Sequence, residues 1–309
     1  MMGEKMKAER FLSKLHIEKG QTILITGGNS GIGKEEARML CKCGCRVILA
    51  CRRVEAGNET KREFESEMPG SEVQVIHLDL TSFESMDEFI EEARKLNLDA
   101  IHFNAGIYRV PFAKGICDFE SHMAVNFAAN YYLLDRLLPH LESLPHPVKV
   151  LFTTSVVARY YRIAPICYEG GKRYKKERSY AYSKTALNMV YLTLLKRSKG
   201  TNIIPILVHP GICFTPLIEK AYPNKRFRLL ASKFIRFFFN SPKKGALPAL
   251  LALSEFTDEP CLIGPRGLFH SAGIPKSYPL YRGNLKNAEE MLLVARERFA
   301  KQGIEITLN

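Results

Sequence analysis

Tyr180 and Lys184 stand four residues apart, and on a helix that spacing puts a phenol and an ammonium one turn apart on one face. A free tyrosine has a pKa of about 10, and a nearby cation favours its phenolate. The pair could therefore work as a general acid and base near neutral pH. The same spacing is also common on exposed helix faces, so the chemistry depends on what else the chain brings to it. Ser155 follows an apolar run at 148–153, read as a strand, and so offers a hydroxyl at a strand's C-terminal edge. Asn126 falls inside a helical stretch, 119–141, where asparagine is a poor choice. It is either a chance surface amide or a buried one holding water and backbone near a site.

The elements that must position these groups begin at Thr22-Ile23-Leu24-Ile25, a short apolar run read as a buried strand. Gly27, Asn29, Ser30, Gly31, Ile32 and Gly33 follow, and a helical pattern starts at Lys34. A strand, a glycine-rich turn and a helix N-terminus together make a phosphate site. Gly28 to Lys34 also fits the opening of a nucleotide-triphosphate loop, but Glu35 occupies the position where a hydroxyl should hold magnesium. The next strand, 46–51, completes a βαβ unit and ends in Arg52-Arg53 where an NAD site would carry an acid. Guanidinium groups suit a 2′-phosphate, so the expected cofactor is NADP(H); the alternative is two solvated loop arginines. A third strand, 73–78, closes at Asp79-Leu80, where the carboxylate either accepts from an adenine amino group or caps the helix at 82–96. A strand at 100–103 leads to Asn104-Ala105-Gly106, a small-residue turn at the edge where open parallel sheets bind ligands. Cys41, Cys43 and Cys45 have no common zinc spacing and no adjacent histidine, so no metal is expected.

With 309 residues, 46% of them hydrophobic and 25% charged, the chain can bury a large α/β core. No apolar run reaches the roughly 18 residues of a membrane span. The first sixteen residues lack the apolar centre of a secretory signal, and the eight cysteines have no framework spacing. These features lead to the expectation of a cytoplasmic protein with reduced thiols. The net charge of +13 is spread along the chain without a nucleic-acid motif, and is assigned to a phosphate-bearing cofactor together with a basic proteome background.

The glycine pattern at 26–33, Asn-Ala-Gly at 104–106, Asn126, Ser155, Tyr180 with Lys184, and Pro210-Gly211 occur together and in order. This resembles the short-chain dehydrogenase/reductase family over about residues 20–275. Ala50-Cys51-Arg52-Arg53 and the long interval from Ser155 to Tyr180 look like its retinol dehydrogenase branch. One departure is Phe103, where the family often has a second asparagine. The resemblance implies that Tyr180 passes a proton to or from the substrate oxygen and that Lys184 lowers the tyrosine pKa and holds the nicotinamide ribose. It implies that Ser155 hydrogen-bonds the substrate oxygen, that Asn126 holds a relay water, and that Pro210, Gly211 and Thr215 complete the cofactor site.

Tyr168 and Lys172 repeat the spacing, but Gly170-Gly171 disfavours a helix there, and Tyr180 opens the better helical segment. Past Thr215 the apolar arc of Phe227, Leu230, Phe234, Phe237 and Phe238, with arginines and lysines outside it, reads as a lid over about 215–242. Its segment 226–239 is either an ordinary lid helix or the mouth of a lipophilic pocket resting on an anionic membrane. Gly267 to His270 reads as the last strand and 285–302 as a terminal helix.

The expected fold is a doubly wound α/β Rossmann domain over 21–275, with a seven-stranded parallel sheet. A 1–20 arm precedes it and a helical extension, 276–309, follows. The expected function is NADP(H)-dependent interconversion of a small lipophilic carbonyl and its alcohol, with a silent NADP(H)-binding scaffold and a P-loop nucleotidase as rivals.

Overall fold

The computed structural model describes residues 10–159, 174–213, 240–254, 261–267, 271–279 and 288–308. The lid as far as residue 239, with its 226–239 segment and Thr215, lies outside the described residues, as do Tyr168 and Lys172. The first strands, β1 (Thr22–Thr26), β2 (Arg46–Cys51) and β4 (Ala100–Phe103), are almost entirely buried. Largely apolar runs of this kind suit parallel strands covered on both faces. With β3 (Val73–His77), β5 (Val148–Thr153), β6 (Ile203–Val208), β7 (Cys261–Pro265) and β8 (Pro275–Pro279), they form one sheet of order β3-β2-β1-β4-β5-β6-β7-β8. The order reverses between β1 and β4, and in open α/β sheets ligands bind in the crevice at such a point.

Helices cover both faces. On one side α1 (Gly31–Lys42) and, later in the chain, the buried Leu247–Ser254 helix pack on Ile23, Ile25, Leu49 and Leu151. On the other lie Phe83–Ala93, Ala129–Ser143 and Lys176–Arg197, packed on Leu24, Ile101 and Phe152. In chain order the remaining helices are Val54–Glu67 after β2, the short Pro242–Gly245, and Ala288–Ala300 after β8. The α1 helix is tied to Val54–Glu67 by ion pairs of Lys34 and Arg38 with Glu63.

Two expectations are corrected here. The sheet has eight strands rather than seven, because the chain turns back after Pro265 and adds β8 antiparallel to β7. The turn is closed by Arg266 N–H to Ile274 O and Gly267 N–H to Ala272 O. The last parallel strand is accordingly Cys261–Pro265, with Gly267 in the turn instead of opening a strand.

The helix expected over 119–141 is also composite. It enters through Ser121–Met123, widens into a π-turn at Ala124–Ala128, and continues as Ala129–Ser143. Among the described residues no helix is long and apolar enough to cross a membrane.

Candidate functional site

The glycine loop is shaped by close approach. A side chain at Gly33 would put its Cβ 2.6 Å from Asn104 Nδ2 and 2.7 Å from Gly27 O. Gly31 begins α1 at a φ of +56°, in the left-handed region that glycine adopts without penalty. Thr26 fastens this loop to the Asn104-Ala105-Gly106 turn. Its Oγ1 accepts from Asn104 N and Ala105 N, both at 2.9 Å, and its carbonyl accepts from Asn104 Nδ2 at 2.9 Å.

Asn126 fastens the other side of the turn. Its Oδ1 accepts from Ile107 N at 2.8 Å, and its Nδ2 donates to Ile107 O and Ser183 Oγ, both at 3.0 Å. Both amide hydrogens are thus used within the protein, leaving one lone pair of Oδ1 to accept from a water. The π-turn places it: a widened turn leaves carbonyls unpaired, and Asn130 Nδ2 satisfies those of Val125 and Asn126 at 3.2 and 3.0 Å. A Cβ on Gly106 would lie 3.0 Å from Asn126 Oδ1 and 3.5 Å from Lys184 Nζ. Those contacts bring the turn, the amide and the ammonium to one point.

Tyr180 and Lys184 project from the Lys176–Arg197 helix, which starts a turn before Tyr180. The Tyr180 hydroxyl faces Ser155 across the cleft, near enough for the serine to act on its ionisation. Burial pushes the phenol up to about 12, against a lowering effect of Ser155. The Lys184 ammonium donates to Thr153 O at 2.8 Å, and burial lowers it to about 8. The spacing argument led to a tyrosine depressed by its lysine; here the lowering contribution comes from Ser155, and removal from water moves the phenol the other way. At neutral pH the phenol is protonated and the amine is mostly cationic. The Tyr180 ring meets the edge of Tyr108 at 4.7 Å between centroids and that of His122 at 6.3 Å. His122 is itself fully buried beside Glu120 and 3.0 Å from the Tyr174 hydroxyl. Nothing in the sequence pattern marked Tyr108, His122 or Tyr174.

A single cleft of about 390 Å³ runs along this edge of the sheet. It is lined by Gly27, Asn29, Ser30, Gly31, Ile32 and Gly33 at the loop, and by Arg52, Arg53, Asp79 and Leu80 at one end. Asn104, Ala105, Gly106, Ser155, Tyr180, Lys184, Pro210 and Gly211 line the rest. Asn126 stands behind this wall, through its bonds to Ile107. The cleft also takes in Thr153 and Thr154 at the end of β5, Ile107 just past the Asn-Ala-Gly turn, and Val125 of the π-turn. Arg52 and Arg53 are exposed. Asp79 Oδ1 accepts from Thr81 N and Thr81 Oγ1 at 2.9 and 2.7 Å, while Ser82 caps the following helix. Lys34 is held by Glu63 and Glu35 by Arg38, so neither belongs to the cleft in the way a triphosphate loop needs. Among the described residues no group of side chains could hold a metal ion, and Cys41 and Cys45 are buried thiols.

Residues 21–226 match the family described as short chain dehydrogenase. The chain is 33% identical over 241 residues to retinol dehydrogenase 12 of Mus musculus, covering 76% of this chain and 74% of that protein. It is 31% identical over 239 residues to retinol dehydrogenase 11 of Homo sapiens, with the same coverages of 76% and 74%. Among solved structures, an uncharacterized protein from Mycobacterium Paratuberculosis superposes with a TM-score of 0.73 at 25% identity, over 96% of this chain and 98% of that one. L-sorbose reductase from Gluconobacter frateurii, solved with NADPH and L-sorbose, has the same fold at a TM-score of 0.60 and 21% identity, covering 77% and 91%. Sequence likeness and fold therefore agree with the motifs: the chain belongs to the short-chain dehydrogenase family of oxidoreductases and is retinol dehydrogenase-like.

Proposed function

We propose that the protein interconverts a carbonyl and an alcohol on a lipophilic molecule of the retinoid, steroid or fatty-aldehyde kind, using NADP(H). The observation that carries this reading is the continuity of one cleft from Arg52-Arg53 to Ser155, Tyr180 and Lys184. The residues present fit a dinucleotide: Gly33 lets the loop close tightly on Gly27 and Asn104, and the loop lines the cleft at a helix N-terminus, where phosphate is favoured. Names of relatives such as retinol dehydrogenase 12, and the aromatic and basic pattern of 226–239, favour a lipophilic substrate.

The nicotinamide, when bound, supplies or takes the hydride. The remaining work belongs to the chain. The loop from Gly27 to Gly33 receives the pyrophosphate, Arg52 and Arg53 the 2′-phosphate, and Asp79 with Leu80 the adenine end. Lys184 holds the ribose. Ser155 Oγ orients the substrate oxygen, and Tyr180, protonated at neutral pH, donates its proton to that oxygen as the alcohol forms. Asn126 offers its remaining Oδ1 lone pair to a water behind Lys184.

Oxidation of NADPH followed by absorbance against a panel of retinoid, steroid and fatty aldehydes tests the reading. Tyr180→Phe is expected to lower kcat by at least about a hundredfold, within the usual range for loss of a general acid, with NADPH affinity retained. Turnover equal to the parent in Tyr180→Phe would remove the tyrosine from the mechanism. NADPH binding without turnover of any compound would favour a silent scaffold.

A further inference from the structure

Behind the cleft, on the face of the sheet covered by α1, lies a polar cluster that the proposed chemistry does not use. Glu36 of α1 and His102 of β4 are 0% and 1% exposed. His102 Nδ1 is 2.9 Å from both Glu36 carboxylate oxygens, and its Nε2 is 2.7 Å from Thr153 Oγ1. Thr153 ends β5. Its side chain shares the α1 face with Leu151, whereas its carbonyl accepts from Lys184 Nζ at 2.8 Å. Lys184 comes from the helix on the opposite face. One residue is therefore gripped through its hydroxyl from one face and through its carbonyl from the other.

A carboxylate and an imidazole buried together are costly compared with apolar side chains of the same volume, and packing alone gives no reason for them. They suit a fixed polar position, because a hydrogen-bonded ring allows fewer placements of the Thr153 hydroxyl than a methyl contact would. The same strand end is tied to the loop: Thr26 Oγ1 donates to His102 O at 3.3 Å while accepting from Asn104 N and Ala105 N.

We propose that Glu36 and His102 are positioning residues for Lys184, acting through Thr153, so that the first helix of the nucleotide site sets where the ammonium meets the ribose. This rests on the cofactor reading above. The test is a double-mutant cycle on NADPH binding, read by fluorescence and independent of turnover. Thr153→Val and His102→Gln are each expected to weaken NADPH by about tenfold, the size of coupling found within one hydrogen-bond network. The same substitutions in a Lys184→Met background should have less than about a twofold effect, because the group they position is gone. Thr153→Ser, which keeps the hydroxyl, should retain parental affinity. It also keeps the test intact if His102→Gln does not fold. Equal losses in both backgrounds, or no loss in either, would overturn the inference while leaving the cofactor reading standing. A parent protein that binds no NADPH would overturn that reading, and this inference with it.

Discussion

On the proposed reading Arg52 and Arg53 would carry the preference for a 2′-phosphate, and their exposure would set its size. A hydrogen bond to a charged group is worth about 1.5–3 kcal/mol, or roughly ten- to hundredfold in affinity. Screening by salt places these two at the lower end of that range. Dissociation constants should favour NADPH over NADH by about tenfold in the parent, and Arg52→Asp with Arg53→Ala should erase the difference. Equal constants in the parent would refute the preference. Lys184 makes a different prediction. Its ammonium is buried and lowered to about 8 from 10.5, so below pH 8 the folded state holds a charge it would rather shed. The unfolded chain binds the extra proton between about 8 and 10.5, so this group adds stability as pH rises through that window. Tyr180, raised to about 12 from 10, removes stability between those two values as pH rises. Lys184→Met should therefore stabilise at pH 7, by roughly 3 kcal/mol for a shift of this size, and by much less near pH 10. Urea melts at both values would check it; an equal gain at the two would show that packing and not charge is responsible.

Elements made of repeated local signals were legible in the chain. Largely apolar runs marked β1, β2, β4, β5 and β6, and the glycine loop and Asn-Ala-Gly turn marked the edge where the cleft lies. The hairpin that adds β8 was missed because Pro275–Pro279 has no apolar alternation to announce a strand. The π-turn at Ala124–Ala128 was missed for a related reason. Its extra residue is stabilised by Asn130, whose amide satisfies carbonyls only after the backbone has widened. Sequence flagged Asn126 as out of place in a helix, which was the one visible trace of it. Asn130→Ala would leave two buried carbonyls without that donor, at a cost of about 1–3 kcal/mol. It should also shift Asn126, so a thermal melt and NADPH affinity should fall together. A stability loss with unchanged affinity would separate the π-turn from the site.

At the scale of the molecule, contacts distant in sequence decide what no local pattern could reveal. Asp135 Oδ1, on the Ala129–Ser143 helix, accepts from Thr307 N, Thr307 Oγ1 and Leu308 N at 2.7, 2.9 and 2.7 Å. Tyr131 Oη donates to Leu308 O at 2.6 Å, and Leu308 and Phe299 join the core beneath. The helical stretch expected at 285–302 had no legible purpose; its described helix, Ala288–Ala300, packs over Phe83 and Tyr132, with ring centroids 6.2 and 6.1 Å from that of Phe299. Asp135→Ala should cost about 1–3 kcal/mol, since the buried Leu308 N and two part-buried Thr307 donors lose one acceptor. Native-state hydrogen exchange would then show residues 304–308 opening separately from the sheet. Uniform destabilisation instead would show that this segment is part of one cooperative unit.

The antiparallel return at β8 matters for the protein at high concentration. A sheet that stopped at β7 would present a row of free backbone donors and acceptors, a template on which another chain could pair. The strand that occupies this edge starts and ends with a proline, and Lys276 beside the first is exposed. Proline has no N–H to offer, and a lysine on the rim meets the like charge of a second copy. The eighth strand thus closes the β7 side of the sheet against edge-to-edge aggregation, a protection that the catalytic fold itself does not require.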